Sequence, residues 1–410
     1  MLGVRIRRAG RLACAAVAVG LIAASCGSDG GGGGGAADAS SPFVLGGQFD
    51  LSGIARAAST PASKGLQAAV DGVNRRGGVD GRKIELVIRD DGSNTARITS
   101  VYRELVTSSN ASAIAGLVSS QQTPVVVPLA ERDKMALIDA GTPGSFIQPP
   151  NPSVFSSSAN QNLQGPAQLA YIMSLAGQRK VPAKPRVAAI YYATPSSTEA
   201  LEATKAYAAE VGIDLVTVES PPVGQGAMGP VMSAIRSANV DAIVSGLIPT
   251  DVIAAVKVAA TSGLDMSMPW ANYSFGGGPE VLKEIAGLGH TGYAVLATVN
   301  ILGDTPGSKT FLEDLKANGV DPMEQGVEVG YIQGIIAAEV FAKCGFPCAP
   351  EKFRSTIATF SSSLDDLAFG PVAYSDQDHS GIGVVKFAKW DAATGNLTYA
   401  GDAVKLEVKV

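Results

Sequence analysis

From Phe43 onward, short apolar segments alternate with amphipathic ones at near-regular spacing. The apolar segments FVLGGQF (43–49), IELVIRDD (84–91), AIAGLV (113–118) and MALIDAG (135–141) have the length of strands. The segments between them carry apolar residues at the three- and four-residue spacing of a helix. Apolar strands separated by helices are typical of parallel sheets that are covered on both faces. The alternation therefore predicts a doubly wound α/β fold.

Capping residues indicate where the first helices begin. Thr60 followed by Pro61 predicts a helix that starts at this point, because proline is favoured at the first helical position. Asn94 is the expected cap of the second helix, since its side chain can accept hydrogen bonds from free backbone amides.

The same alternation of apolar and amphipathic segments begins again at VAAIYY, residues 187–192, which predicts a second lobe of comparable size. The chain has 410 residues, of which 46% are hydrophobic and 17% charged, so it can bury two cores. We therefore expect two Rossmann-like lobes with a ligand cleft between them. Lobe 1 would comprise residues 43–162 plus about 300–370, and lobe 2 residues 163–299 plus about 371–410.

Residues 1–25 have the pattern of a signal peptide. Arginines are followed by the apolar stretch LACAAVAVGLIA, which is too short to remain as a membrane span, and by small residues before Cys26. Such a site resembles the lipobox of bacterial lipoproteins, which predicts lipidation of Cys26. An ordinary signal peptide and a twin-arginine signal are the alternatives. Residues 26–42 would form a Gly-rich tether on the outer face of the cell membrane.

Charge and cysteine content narrow the possible partners. The net charge is −5 at pH 7, and removal of the arginine-containing leader makes the remainder more acidic. No cluster of lysine and arginine offers a surface for nucleic acid. Cys344 and Cys348, in AKCGFPCAP, fit a structural disulfide in an oxidising compartment. A metal or redox pair is the alternative, although no histidine or further cysteine lies nearby.

Uncharged polar residues follow two of the expected strands at their carboxyl ends. Ser119 and Ser120 come after AIAGLV, and Ala140, Gly141 and Thr142 come after the next strand. In a doubly wound sheet, ligands bind at these ends, where the backbone amides and hydroxyls of neighbouring loops converge. These residues are therefore candidates for binding an oxygen-rich group such as a carboxylate. Helix capping alone is the alternative.

Evidence for catalysis is weak. His290 and His379 stand in Gly- or Asp-rich contexts that favour surface loops over general bases. GQGAMG, residues 224–229, matches a dinucleotide-binding pattern, but prolines on both sides disagree with a strand that leads directly into a helix. Asp90 and Asp91 fit solvent-facing or loop-capping roles better than a metal site. We expect no catalytic residues, no metal and no cofactor.

The order of motifs over residues 43–145 resembles a known family. Asp-Leu-Ser-Gly after the first strand, NRRGGVDG after the first helix, and then AGLVSS and DAGT resemble the periplasmic binding proteins for leucine, isoleucine and valine. These are the type I solute-binding proteins of ABC importers. The resemblance implies that Ser119, Ala140 and Thr142 hold the carboxylate and help to hold the ammonium of an amino acid. It also implies a monomer that closes over its ligand and delivers it to a membrane permease.

The second lobe departs from the family pattern. Ser196 stands where an aromatic residue is usual, and Leu247 and Ile248 stand where a tyrosine is usual. Tyr273 stands where an acidic residue normally neutralises the ligand ammonium. Because a buried ammonium without a carboxylate is costly, these departures predict a less cationic solute: a carboxylate, an amide, or an amino acid bound differently. Ser196 and Tyr273 remain the expected contacts from this lobe.

Two other classes of function are compatible with this sequence. The same fold serves as the ligand-binding part of receptors, so a tethered sensor subunit is the main alternative to a transport protein. A purely structural surface lipoprotein would bind no small molecule saturably.

Overall fold

The computed structural model describes residues 41–147, 149–176 and 181–405. The predicted leader and the predicted lipidation site Cys26 lie outside these ranges. Within them, no helix combines the length and the hydrophobicity that a bilayer crossing requires.

The first sheet consists of five parallel strands in the order β2-β1-β3-β4-β5. The strands are β1 (Phe43–Phe49), β2 (Ile84–Asp90), β3 (Ala113–Gly116), β4 (Ala136–Asp139) and β5 (Val154–Ser156). The connecting helices are α1 (Arg56–Arg75), α2 (Thr95–Thr107) and α3 (Thr123–Asp133). A short 3-10 helix, Gly144–Phe146, follows β4.

The second sheet repeats this arrangement and extends it. Its strands are β6 (Arg186–Ile190), β7 (Asp214–Glu219), β8 (Ala242–Ser245), β9 (Trp270–Asn272), β10 (Tyr293–Ala297), β14 (Val384–Asp391) and β15 (Asn396–Lys405). Its helices are α4 (Gln161–Ser174), α5 (Pro195–Val211), α6 (Gly229–Ala238), α7 (Pro249–Ser262) and α8 (Pro279–Gly287). The order is β15-β14-β10-β9-β8-β6-β7, and only the hairpin β14–β15 runs antiparallel to its neighbours. The predicted doubly wound α/β fold is confirmed.

The remaining elements lie on the first sheet. They are α9 (Pro306–Ala317), α10 (Val327–Cys344), α11 (Pro350–Ile357), β11 (Ser361–Ser362), β12 (Val372–Ser375) and β13 (Asp378–Ile382), the last three forming a small antiparallel sheet. Helices α9 and α10 pack against α1, and β13 packs beside β5. We call the first sheet with these elements and α1–α3 lobe 1, and the second sheet with α4–α8 lobe 2. The chain passes between them after β5, after β10 and after β13.

Helices α1 and α10 approach each other closely enough to require glycine. A Cβ atom on Gly65 would collide with the carbonyl oxygen of Val327, and one on Gly330 would collide with that of Ala62. Because real Cβ atoms do not come so close to backbone oxygens, larger residues would separate the helices. This packing fixes the start of α10 against lobe 1.

One of the two predicted helix caps is confirmed and the other is wrong. The side chain of Asn94 accepts hydrogen bonds from the amides of Ala96 and Arg97. By contrast, α1 begins at Arg56, so Thr60 and Pro61 lie inside the helix. The proline therefore removes one hydrogen-bond donor from the helix interior and does not mark the helix start.

Both histidines are buried, which corrects the expectation that they lie in surface loops. His290 is 5% exposed and lies beside the ring of Trp270, while His379 is 4% exposed and stacks on Phe155. At the end of α10, Cys344 and Cys348 form a disulfide with Cα atoms 5.8 Å apart.

Candidate functional site

The loops that follow β3 and β4 lie directly against each other at the carboxyl edge of the first sheet. The Gly141 amide donates a hydrogen bond to the Leu117 carbonyl at 3.0 Å. A Cβ atom on Gly141 would lie 2.5 Å from the carbonyl oxygen of Val118. The structure thus brings the residues around Ser119 and those around Thr142 to one spot, and glycine is needed for this contact.

A buried carboxyl group that sequence reasoning missed organises this spot. Asp139, the last residue of β4, is fully buried. It accepts hydrogen bonds from the hydroxyl of Thr123, at the start of α3, and from the Gly141 amide at 2.7 Å. Burial raises the pKa of Asp139 to about 7, although both hydrogen bonds oppose this rise. Asp139 therefore ties the β4 loop to the start of α3.

The side chain of Gln122 binds one of the backbone amides that the sequence assigned to a ligand. Its side-chain oxygen accepts the Ser119 amide at 2.9 Å, and its side-chain nitrogen donates to Asp91 at 2.7 Å. Gln48 donates to the same Asp91 oxygen at 2.9 Å. Asp91 is fully buried and accepts the Ser93 amide at 2.9 Å, so it has the predicted loop-capping role but does not face solvent.

Several uncharged donors remain for a ligand. Ser119 is 8% exposed, and its hydroxyl oxygen only accepts a long hydrogen bond from the Gln121 amide, at 3.4 Å. Ser120 is exposed, and the amide of Thr142 has no acceptor among the described residues. The carbonyl of Ala140 accepts a hydrogen bond from the hydroxyl of Ser158 at 2.8 Å. Neutral donors of this kind suit a carboxylate or an amide oxygen.

Lobe 2 contributes the start of α5 and the loop after β9. Ser196 lies in the first turn of α5, and Glu199 on the same helix accepts the Gly144 amide of lobe 1 at 3.2 Å. Tyr273 follows β9 and lines a small cavity of about 10 Å³, room for about one water molecule, together with Tyr191 and Ser197. Ser196 and Tyr273, the two contacts predicted from lobe 2, thus belong to segments near lobe 1. Only Tyr273 lines the small cavity.

An acidic residue does lie near Tyr273, yet its hydrogen-bonding capacity is already used. Asp251 is fully buried and accepts hydrogen bonds from the Tyr192 hydroxyl at 2.6 Å and from the amides of Gly224 and Gly226. Burial, with the Asp251 carboxylate adding to it, raises the pKa of Tyr273. Asp251 therefore holds the GQGAMG loop in place and is not free to bind an ammonium.

A larger cavity lies between the lobes, beside the loop carrying Tyr273. It leaves about 60 Å³ for the centres of water-sized molecules, and its walls come from β10, the hairpin β14–β15, residues 274–282 and residues 322–329. None of the seven ligand-binding residues predicted from the sequence lines it. It adjoins them through Ser158, which contacts Ala140, and through Ser274, the neighbour of Tyr273. Glu328 lines its lobe 1 side.

The described residues include neither a candidate metal site nor a charged histidine. No group of three or more His, Cys, Asp or Glu side chains is placed to hold a metal ion in these ranges. Burial lowers the pKa of His290 to about 4 and also lowers that of His379. Both histidines are therefore neutral side chains packed among aromatic rings.

Comparisons with known proteins agree with this geometry. A family model described as periplasmic binding protein matches residues 42–396. The Leu/Ile/Val-binding protein homolog 7 of Brucella melitensis is 24% identical over 350 residues, covering 82% of this chain and 86% of that protein.

Two solved structures share the fold. A branched chain amino acid ABC transporter from Thermus thermophilus with bound valine has a TM-score of 0.77 at 19% identity, covering 89% of this chain and 97% of that chain. A solute binding protein of an ABC transporter from R. palustris in complex with 4-hydroxybenzoate has a TM-score of 0.71 at 20% identity, covering 89% and 97%.

Proposed function

The chain belongs to the periplasmic binding protein family, and from that premise we propose that it is the substrate-binding lipoprotein of an ABC importer. It captures a small amino-acid-like, carboxylate or amide solute between its lobes and delivers it to a membrane permease. Members of this family are extracytoplasmic solute-binding proteins and not enzymes. Anchoring through a lipid on Cys26 would keep the protein beside its permease.

The proposal rests on the position of the cavity between two lobes whose first five strands follow the same order. Residues from both lobes line it, and the chain connects the lobes through three separate segments, after β5, β10 and β13. Short connections between two rigid sheets permit a hinge motion that opens and closes the cleft. A solute would bind first to the neutral donors of lobe 1 at Ser119 and Thr142, which adjoin the cavity at Ser158 without lining it, and closure of lobe 2 would then bury it.

Two relatives suggest the range of solutes. The Thermus thermophilus structure holds valine and the R. palustris structure holds 4-hydroxybenzoate, so proteins of this fold accept both an amino acid and an aromatic carboxylate. Both molecules pair a carboxylate with an apolar body. The uncharged donors around Ser119 and Thr142 match the carboxylate that they share.

A thermal-shift screen followed by calorimetry tests the proposal. The panel contains amino acids, amides, short carboxylates and aromatic acids. A solute at about a hundred times its dissociation constant should stabilise the protein by about 2.7 kcal/mol, because it binds only the folded state. Saturable binding of one class supports the proposal, whereas a panel without any binder would contradict it. Co-purification with a histidine kinase in place of a permease would favour the sensor alternative.

A further inference from the structure

The segment that connects β10 to α9, residues 298–305, is held by both lobes at once. It is one of the three connections through which the chain passes between the lobes. A hinge motion changes the backbone dihedral angles of such connections, so the bonds that hold them determine how freely the lobes move. The contacts of this segment therefore bear on the resting position of the lobes.

Lobe 2 holds the segment through a single hydroxyl group. Tyr399, on β15, accepts a hydrogen bond from the Ile301 amide at 2.9 Å and donates one to the Val299 carbonyl at 3.0 Å. Its position in lobe 2 is fixed, because β15 pairs with β14 and β14 pairs with β10. Burial raises the pKa of Tyr399, so the hydroxyl stays protonated and able to donate.

Lobe 1 holds the same segment through a strained turn. Three consecutive residues, Leu364–Asp366, have φ angles between 51° and 62°, which residues other than glycine rarely adopt. The end of this turn accepts two hydrogen bonds from the segment. The Asn300 amide donates to the Leu367 carbonyl at 2.7 Å, and the Thr305 hydroxyl donates to the Asp366 carbonyl at 2.9 Å.

The lobes touch each other in the arrangement that these bonds hold. The Gly144 amide of lobe 1 donates a hydrogen bond to Glu199 of lobe 2 at 3.2 Å. The ring of Tyr399 lies edge-on against that of Phe369 in lobe 1, with centroids 4.8 Å apart. We call this the closed arrangement.

Separation of the lobes has to break one of the two sets of bonds to the segment. The bonds from lobe 1 involve a turn whose unusual backbone is fixed by its surroundings. The bonds from lobe 2 involve one side-chain hydroxyl, which can exchange its partners for water. The bonds of Tyr399 are therefore the ones expected to break when the lobes separate.

We propose that the Tyr399 hydroxyl is a catch that stabilises the closed arrangement before any solute binds. Tyr399 is then a positioning residue, because it raises the fraction of molecules whose lobes are already closed. The apparent dissociation constant of a solute is the intrinsic one divided by this fraction. The catch thus tunes the affinity of the cleft. This effect on affinity rests on the proposed function, whereas the effect on the lobes does not.

A distance across the cleft, measured without any solute, tests the catch. Spin labels on cysteines introduced at Ile54 in lobe 1 and Val223 in lobe 2, both exposed, report the separation of the lobes by pulsed electron resonance. The full chain is compared with variants of it. Short distances report the closed arrangement and long distances report separated lobes.

The variants differ in which contact they remove. Tyr399→Phe removes only the hydroxyl and keeps the ring. Tyr331→Phe is the matched control, because it removes a hydroxyl that donates to Asp314 at 2.8 Å within lobe 1. Phe369→Leu is a second test variant, since it weakens the ring contact of Tyr399 with lobe 1.

We expect short distances in part of the native molecules and equally in Tyr331→Phe. In Tyr399→Phe, the ratio of short to long distances should fall about tenfold, because the closed arrangement loses two hydrogen bonds. Phe369→Leu should lower the ratio too, and it decides the question if Tyr399→Phe does not fold. An unchanged ratio in the folded test variants would overturn the inference.

Calorimetry with L-valine and 4-hydroxybenzoate as probes separates this inference from the proposed function. For a probe that binds, the affinity should fall in Tyr399→Phe by up to the same factor and stay unchanged in Tyr331→Phe. Because Tyr399 lines the interlobe cavity, weaker binding with unchanged distances would indicate a direct contact with the solute and overturn the catch. A protein that binds no solute but shows the expected distances would support the catch and contradict the proposed function.

Discussion

Replacement of Asp139 by asparagine should change the pH dependence of stability by a measurable amount. The pKa of this carboxyl, ordinarily 3.8, is raised to about 7 in the folded protein because the group is fully buried. The folded state therefore holds a proton more tightly than the unfolded state. Since an acid with a raised pKa destabilises the fold once it ionises, this penalty is absent below about pH 4 and complete above about pH 7.

The size of the effect follows from the two pKa values. Raising a pKa from 3.8 to about 7 corresponds to about 4 kcal/mol in the free energy of unfolding, of which about 2.5 to 3 kcal/mol develops between pH 5 and pH 8. The asparagine side chain does not titrate, and its amide can still accept from Gly141 and donate to Thr123. The free energy of unfolding of Asp139→Asn, relative to the native protein, should therefore rise by that amount over this range.

Urea unfolding followed by circular dichroism at a series of pH values measures this difference. Asp133→Asn is the control, because Arg132 lowers the pKa of Asp133 and places its titration below the range studied. The control should show no trend between pH 5 and pH 8. If the difference between Asp139→Asn and the native protein were equally flat, the buried carboxyl would be ionised throughout and the account of the β4 loop would be wrong.

Three further changes test the site and its framework. Gly141→Ala would place a Cβ atom 2.5 Å from the Val118 carbonyl oxygen, so we expect a lower melting temperature and weaker solute binding; native-like values for both would contradict the close contact of the two loops. The Thr142 hydroxyl donates only a long hydrogen bond, of 3.4 Å, to the Asp139 carbonyl, so Thr142→Val should weaken solute binding, measured by calorimetry, with a small change in melting temperature; unchanged affinity would remove Thr142 from the site. Replacing Cys344 and Cys348 by serine should lower the free energy of unfolding by about 2 kcal/mol, the value for so short a loop. Solute affinity should not change, because the disulfide lies at the far end of α10 from the cleft; a loss of affinity would contradict this separation.

Much of the fold could be predicted because its signals are local. The apolar periodicity indicated β1 to β4 and the helices between them, and Asn94 caps α2 as its residue type predicts. Thr60 was wrongly predicted as a cap for the same reason, because a Thr-Pro pair at a helix start and one inside a helix look alike in sequence. Helix α1, which packs against α10, begins earlier, at Arg56. The short strands β5 and β9 carry too few residues for a periodicity to appear.

The polar residues of the site were harder to assign because their partners are distant in sequence. The Ser119 amide was expected to be available to a ligand, but the side chain of Gln122 accepts its hydrogen bond. Asp91 accepts a hydrogen bond from the same Gln122 side chain and so holds it in place. His290 stands in a glycine-rich context typical of a surface loop, yet the aromatic rings of lobe 2 bury it. Glu328 gave no signal beyond an acid at a helix start, since its relation to the cleft depends on how the two lobes meet.

A distance measured across the cleft reports whether the two lobes approach each other and enclose a solute. Ile54, after β1 in lobe 1, is 76% exposed, and Val223, after β7 in lobe 2, is 49% exposed. Spin labels on cysteines at these two positions, with Cys14 and Cys26 replaced by serine, report their separation by pulsed electron resonance. With the solute found in the thermal-shift screen at saturation, the distance distribution should move to shorter values. A distribution that stays the same with the solute bound would contradict the account.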